Sequence, residues 1–235
     1  MPQEKSVTFP DRRRSQDWMW FAFLCLVALV FVMVTGNDFF SSSVLLSGTA
    51  CVALIAMGRR SGYLIGLYTS GAYAWLAWQN GLFGEVWLNL AFYLPTGIIG
   101  YIMWSNRLAD THIVAMRSLA RVGLWGTLAI CILGTAGLGF GLSFIETQHT
   151  PYVDAATNVL SIVATILMMW RYREQWLLYF SLNVLSIIMW ILRYLEDGTA
   201  GDAMIVMWCL FLANSVYGWW RWSRGAGLYV KAEGN

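Results

Sequence analysis

Polar and apolar positions separate along this chain into long blocks. Apolar runs cover about 17–36, 42–58, 61–80, 85–104, 118–144, 152–170, 174–196 and 203–222, with short polar segments between them. A helix needs about 20 residues to cross a ~30 Å hydrocarbon core, so the pattern predicts an all-α polytopic membrane protein with eight transmembrane helices. The first run is longer than the apolar core of a signal peptide and no small-residue cleavage site follows it, so it is expected to be retained as a helix. One run carries more than lipid-facing chemistry. Counting from Trp176, the residues Tyr179, Asn183, Ser186 and Trp190 recur at helical spacing, which lines all five along one side. Asn183 falls near the middle of the run, where its amide has no water and must pair with a neighbouring helix or a bound molecule. This helix is expected to form one wall of a small-molecule site.

Composition agrees with that class. Of the 235 residues, 58% are hydrophobic, 16% aromatic and 12% charged, and mean hydropathy is +0.57. A soluble domain carries roughly 25% charged residues. The net charge of +2 is too small to point to nucleic acid. The distribution of the charges says more. With a cytoplasmic amino terminus, the inside segments hold Lys5, Arg12, Arg13, Arg14, Arg59, Arg60, Arg107, Arg117, Arg121, Arg171, Arg173, Arg221, Arg224 and Lys231, which leaves Arg193 alone outside among the 15 basic residues. That asymmetry predicts that both termini are cytoplasmic. It also supports eight crossings, because one more or one fewer would put downstream basic loops on the wrong side. Cys25, Cys51, Cys131 and Cys209 all lie in apolar runs without a CxxC spacing, which suggests neither disulfides nor a zinc site.

A weak internal repeat organises the runs. Gly84-Glu85 matches Gly201-Asp202, Gly100 matches Gly218, and Trp104 and Trp222 each follow that glycine by four residues. Arg59-Arg60 and Arg171 with Arg173 occupy the same turn of each unit. The expected organisation is therefore a basic tail (1–16), an extra helix (17–36), a three-helix unit (41–105), a single linker helix (118–146), a second three-helix unit parallel to the first (152–224) and a cytoplasmic tail (225–235). Transporter sites occur at such repeat interfaces near the bilayer midplane.

Absences narrow the function. No GxxxxGK[ST] sequence occurs, and His112 and His149 lie in loops with no HExxH or acidic cluster, so no ATP motor, metal site, cofactor or enzymatic site is expected. Every Asp, Glu and Arg falls outside the runs or at their ends, which leaves no buried proton relay and favours a uniporter.

The arrangement of one extra helix before a 3+1+3 plan resembles the Pnu-type vitamin transporters over about 41–224. The residues that carry the resemblance are Pro95, Gly100-Tyr101 and Trp104, then Tyr152-Val153-Asp154-Ala155, Arg173-Glu174-Gln175-Trp176, and Tyr217-Gly218 with Trp222. Trp176, Tyr179 and Asn183 stand where that family has W-x-x-W-x-x-x-N, with tyrosine replacing the second tryptophan. The resemblance implies uptake of nicotinamide riboside by facilitated diffusion across a bacterial inner membrane. It also implies trapping by a separate cytoplasmic nicotinamide riboside kinase. The substitution at Tyr179 keeps thiamine or another nucleoside-like vitamin open as cargo, and a non-transporting membrane receptor is the alternative of another class. A homo-oligomer is compatible with the sequence.

Nicotinamide riboside presents a cationic pyridinium ring, a carboxamide and ribose hydroxyls, and its site calls for aromatic faces with neutral amides and hydroxyls. The candidates are Trp176, Tyr179 and Asn183, then Asn214, Asn89, Tyr68, Asn158 and Tyr217. Each amide also has a purely structural reading as a bridge between helices, and Trp176 has one as an interfacial anchor. Trp18, Trp20, Trp104, Trp219, Trp220 and Trp222 read best as an aromatic belt. Pro95 is expected to kink or hinge its run.

Overall fold

In the computed structural model, residues 11–36, 38–79, 86–108, 113–144, 151–197 and 202–233 are described. They form eight helices: α1 (Asp11–Thr35), α2 (Phe39–Ala56), α3 (Ser61–Gln79), α4 (Leu94–Ser105), α5 (Arg121–Leu142), α6 (Pro151–Met169), α7 (Gln175–Asp197) and α8 (Asp202–Glu233). Among the described residues, four segments are long and apolar enough to cross a membrane by length and composition alone: Arg14–Thr35, Phe39–Ala56, Arg121–Leu142 and Pro151–Met169. Helix boundaries lie close to the apolar runs, except that α1 starts before its run, α4 starts well inside its own, and α8 continues well past its run. Many large apolar side chains are left exposed along the helices, as at Met33, Val34, Val122 and Leu133, which suits contact with hydrocarbon rather than water.

Six helices close a ring in the order α2, α3, α4, α6, α7, α8, with α8 returning to α2. Helix α1 lies across the junction of α2 and α8, whereas α5 packs on α6. Local chemistry sets the entries to these helices. Asp38 caps α2 by accepting hydrogen bonds from the Phe40 and Ser41 amides, and Pro151 opens α6 with a φ already suited to a first turn. Pro95 is handled differently from a simple kink. A π-helical turn, Leu88–Tyr93, runs directly into α4, so the proline stands in a new first turn where its missing N–H costs little.

At one end of the ring the chain makes the same turn twice. After α2, the Arg59 amide donates to the Leu54 carbonyl and the Gly58 amide to Ile55; after α6, Tyr172 donates to Leu167 and Arg171 to Met168. Both are Schellman caps that need a left-handed residue, supplied by Gly58 (φ 77°) and by Arg171 (φ 68°). A Cβ at Gly58 would fall 2.8 Å from the flexible end of Met116, so the positive φ rather than space is what favours glycine there. Arg171 carries a Cβ in this conformation, and its buried guanidinium donates to the Ala115 carbonyl at 3.2 Å, a contact that offsets the strain. The segment around 113–117 threads between the two turns, joined by the Val114 amide to the Gly58 carbonyl and the Arg117 amide to the Arg171 carbonyl.

This basic end is plugged by aromatic residues. Tyr63 meets Trp104 edge-on at 5.0 Å, Trp104 meets Trp222 at 5.7 Å, and Trp222 meets Trp176 at 6.1 Å. The Trp104 indole donates to the Met168 carbonyl and the Trp222 indole to the Ala56 carbonyl, so each bonds to the end of a helix in the other half of the ring. Gly100 and Gly218 make room, since a Cβ there would fall 2.4 Å from the Tyr63 ring and 2.5 Å from the Trp176 ring. The aromatic-belt expectation is thus corrected for Trp104 and Trp222, both 0% exposed: their indole N–H groups find backbone partners inside the protein. Trp18 and Trp220 do remain exposed.

Candidate functional site

The ring encloses a cavity of about 680 Å³, within the range of small-molecule sites. Each wall comes from one face of a helix. On α7 the lining residues are Trp176, Tyr179, Leu182, Asn183, Ser186 and Met189, the face expected from the sequence; the Trp190 side chain lies outside the described residues. On α6 they run Asp154, Thr157, Asn158, Ser161, Thr165 and Met168, spaced by three or four residues. Asn89, Tyr93 and Thr96 face inward from the π turn and α4; Thr69, Ser70 and Tyr73 from α3; Trp208, Phe211, Asn214 and Ser215 from α8.

Hydrogen bonds tie these walls together. The Asn183 amide donates to Ser215 Oγ at 2.9 Å, and that hydroxyl donates to its own helix at Phe211. Tyr179 shares a 3.2 Å hydrogen bond with Thr165, joining α7 to α6, and the Tyr93 and Ser161 hydroxyls join the π turn ahead of α4 to α6. Asn158 Nδ2 donates back to the Asp154 carbonyl at 2.7 Å. Asn214 is occupied on both sides, accepting from the Trp20 indole at 3.1 Å and donating to the Val52 carbonyl at 2.8 Å. Three buried donors of the lining lack a protein partner among the described residues: the Tyr63 hydroxyl and the indole N–H groups of Trp176 and Trp208. A buried unpaired donor costs about 1–3 kcal/mol, so these groups gain from any acceptor that enters.

Two sequence expectations need correction. Tyr68 is 53% exposed on the outside of the ring, where its hydroxyl donates to Ser43. The inward face of α3 carries Tyr63, Gly66, Thr69, Ser70 and Tyr73, and position 68 lies well around the helix from all of them. Tyr217 also turns away from the cavity, stacking on Trp20 of α1 at 4.8 Å and donating to Asp17 at 2.6 Å. Arg221 completes that cluster by pairing with both Asp17 oxygens, and Asp17 and Arg221 are each only 2% exposed. Asp17 and Arg221 stand at the ends of their runs, as the sequence reading has them, and the packing of α1 on α8 buries both. Among the described lining residues the sequence also overlooked Trp208, Ser215 and Asp154; the spacing of Asp154 four residues before Asn158 is the available signal.

The cavity, its aromatic plug and its amides can be set beside known proteins. The nicotinamide mononucleotide transporter family matches residues 38–224. The chain belongs to this family. It is 32% identical over 212 residues to the nicotinamide riboside transporter PnuC of Neisseria mucosa, covering 86% of this chain and 78% of that one. It is 31% identical over 210 residues to PnuC of Haemophilus influenzae, covering 88% of each. A crystal structure described as the vitamin B3 transporter PnuC superposes with a TM-score of 0.80 at 29% identity, over 90% of this chain and 92% of that one. As a member of this family the protein is a membrane transporter and not an enzyme.

Proposed function

We propose that the protein takes up nicotinamide riboside by facilitated diffusion, alternately opening the enclosed cavity to each side of a bacterial inner membrane with both termini cytoplasmic. The observation that carries this reading is a cavity walled by aromatic rings and neutral amides whose described lining holds one charged side chain, the acidic Asp154. A pyridinium cation gains from aromatic faces, while the carboxamide and ribose edges need neutral donors and acceptors. A mononucleotide fits less well. Its phosphate would enter a lining with no Lys, Arg or His among the described residues, and a buried phosphate needs such partners. Trp176 and Tyr179 are the proposed ring contacts, with Asn183, Asn89 and Asn158 as polar contacts and Asn214 as a support for the wall.

The transport step proposed is rocking of two triplets, α2 to α4 and α6 to α8, within a plan of eight crossings. The repeated Schellman turns and the reciprocal Trp104 and Trp222 bonds support reading the triplets as parallel copies. A cytoplasmic kinase would trap the product. Uniport still concentrates a cation, because ~100 mV inside negative contributes ~2.3 kcal/mol per charge, roughly fifty-fold.

Proteoliposomes containing the purified protein test this directly. Labelled nicotinamide riboside is expected to enter, faster with an inside-negative potential and independently of proton or sodium gradients. Stimulation by a sodium gradient would replace uniport by symport, while displacement by thiamine and no uptake of the riboside would move the cargo to thiamine.

A further inference from the structure

We infer that Asp154 is the charge selector of this cavity, a specificity-determining carboxylate that draws a cationic substrate inward and turns anionic ones away. This rests on the reading of the protein as a nicotinamide riboside transporter and concerns the same cavity. Three observations carry it. Asp154 is the one charged side chain among the described lining residues, and it adds negative potential to the cavity wall. It sits in the first turn of α6, at the far end of the polar face that ends at Met168, whose carbonyl holds the Trp104 indole of the aromatic plug. A substrate entering from the end opposite the plug therefore meets this carboxylate before it meets the Tyr179 and Asn183 wall. The rest of the described lining is apolar or neutral, and beside low-dielectric walls the field of a carboxylate is screened less than in open water.

The consequences follow from sign alone. A pyridinium riboside is attracted. Its phosphorylated form, carrying a dianionic group, is repelled, so selection between vitamin and nucleotide begins at the mouth. The competing role for Asp154 is structural, since an acidic residue in a first turn complements the positive end of the helix dipole.

A matched pair of substrates separates these roles: nicotinamide riboside, a cation, and its dihydro form, which has nearly the same shape and no ring charge. Full-length protein and the Asp154→Asn and Asp154→Glu variants are reconstituted, and kcat/KM for uptake is measured for both compounds at low and high salt, with thermal melting beside it. The expected result is a roughly tenfold fall in the cation-to-neutral ratio for Asp154→Asn, loss of that ratio's salt dependence, and recovery of most of the ratio in Asp154→Glu. An unchanged ratio in Asp154→Asn overturns the inference, and equal losses for both compounds with a lowered melting temperature assign Asp154 to the helix terminus. If the wild-type protein carries the neutral compound but not the cation, the selector is refuted. If it carries neither, the transport reading itself falls.

Discussion

Asn183 shows why an intramembrane amide is informative only when its partners are known. Its Nδ2 is engaged by Ser215, so it already bridges α7 and α8, yet its place in the lining leaves it beside any occupant of the cavity. Asn183→Leu is expected to abolish uptake of nicotinamide riboside while the detergent-solubilised protein keeps its elution profile; aggregation of the variant would instead make the amide a bridge only. The Asp17–Arg221 pair is a different kind of residue-level feature. Both groups are buried, Tyr217 satisfies one Asp17 oxygen as well, and removing one partner strands a charge away from water. Asp17→Leu should lower stability by about 3–5 kcal/mol, and Asp17→Leu with Arg221→Met should recover much of that loss, both readable as thermal melting in detergent.

Among the elements, the two turns at the basic end are alike in hydrogen bonding and unlike in sequence. Gly58 meets the left-handed requirement without strain, whereas Arg171 meets it because its side chain reaches Ala115. The helices that follow repeat the contrast, with Tyr63 lying against Gly100 and Trp176 against Gly218. Gly218→Ala puts a methyl group 2.5 Å from the Trp176 ring, and the rigid indole has to move. We expect a loss of about 1–3 kcal/mol from that overpacking, largely relieved by adding Trp176→Leu, although uptake should not return because the ring wall is gone. Thermal melting and uptake of both variants check the two halves of this statement. The π turn before Pro95 makes the opposite case. Since the proline occupies a first turn, Pro95→Ala should shift melting by no more than a few degrees.

For the whole molecule, the two seams between the triplets are built differently. The α2–α8 seam is overlaid by α1 and backed by a buried cluster that includes Leu24, Ala28, Val44, Leu45, Met207 and Leu210. Across the α4–α6 seam fewer residues pack, and the Tyr93 and Ser161 hydroxyls meet there beside the π turn. Rocking is therefore expected to hinge on the α1, α2 and α8 side and to open between α4 and α6. Hydrogen exchange should report this as faster exchange over residues 88–96 than over 44–56, slowed at 88–96 by nicotinamide riboside; equal rates would place the hinge elsewhere. The plug at the basic end fits the same scheme. Gln175 is fully buried there with neither side-chain polar atom paired among the described residues, an arrangement that costs more than a fully satisfied one.

The sequence alone determined the helices, their approximate limits, and the inward face of α7, because backbone hydrogen bonding within a helix is local and the 3.6-residue period orders side chains without reference to neighbours. It also marked Gly100, Trp104, Gly218 and Trp222 as matched positions, since their spacing repeats. Only the tertiary structure decided which helices adjoin, and that choice distributed the remaining roles. Asn214 and Tyr217 lie three residues apart on α8 and both bond to α1, but only Asn214 also lines the cavity, because α1 settles over the α2–α8 junction. Tyr68 faces outward and Asp154 inward for the same reason: a helix in lipid offers apolar residues on every side, so hydropathy does not distinguish the face that meets a neighbour from the face that meets the bilayer. Packing across distant segments makes that distinction.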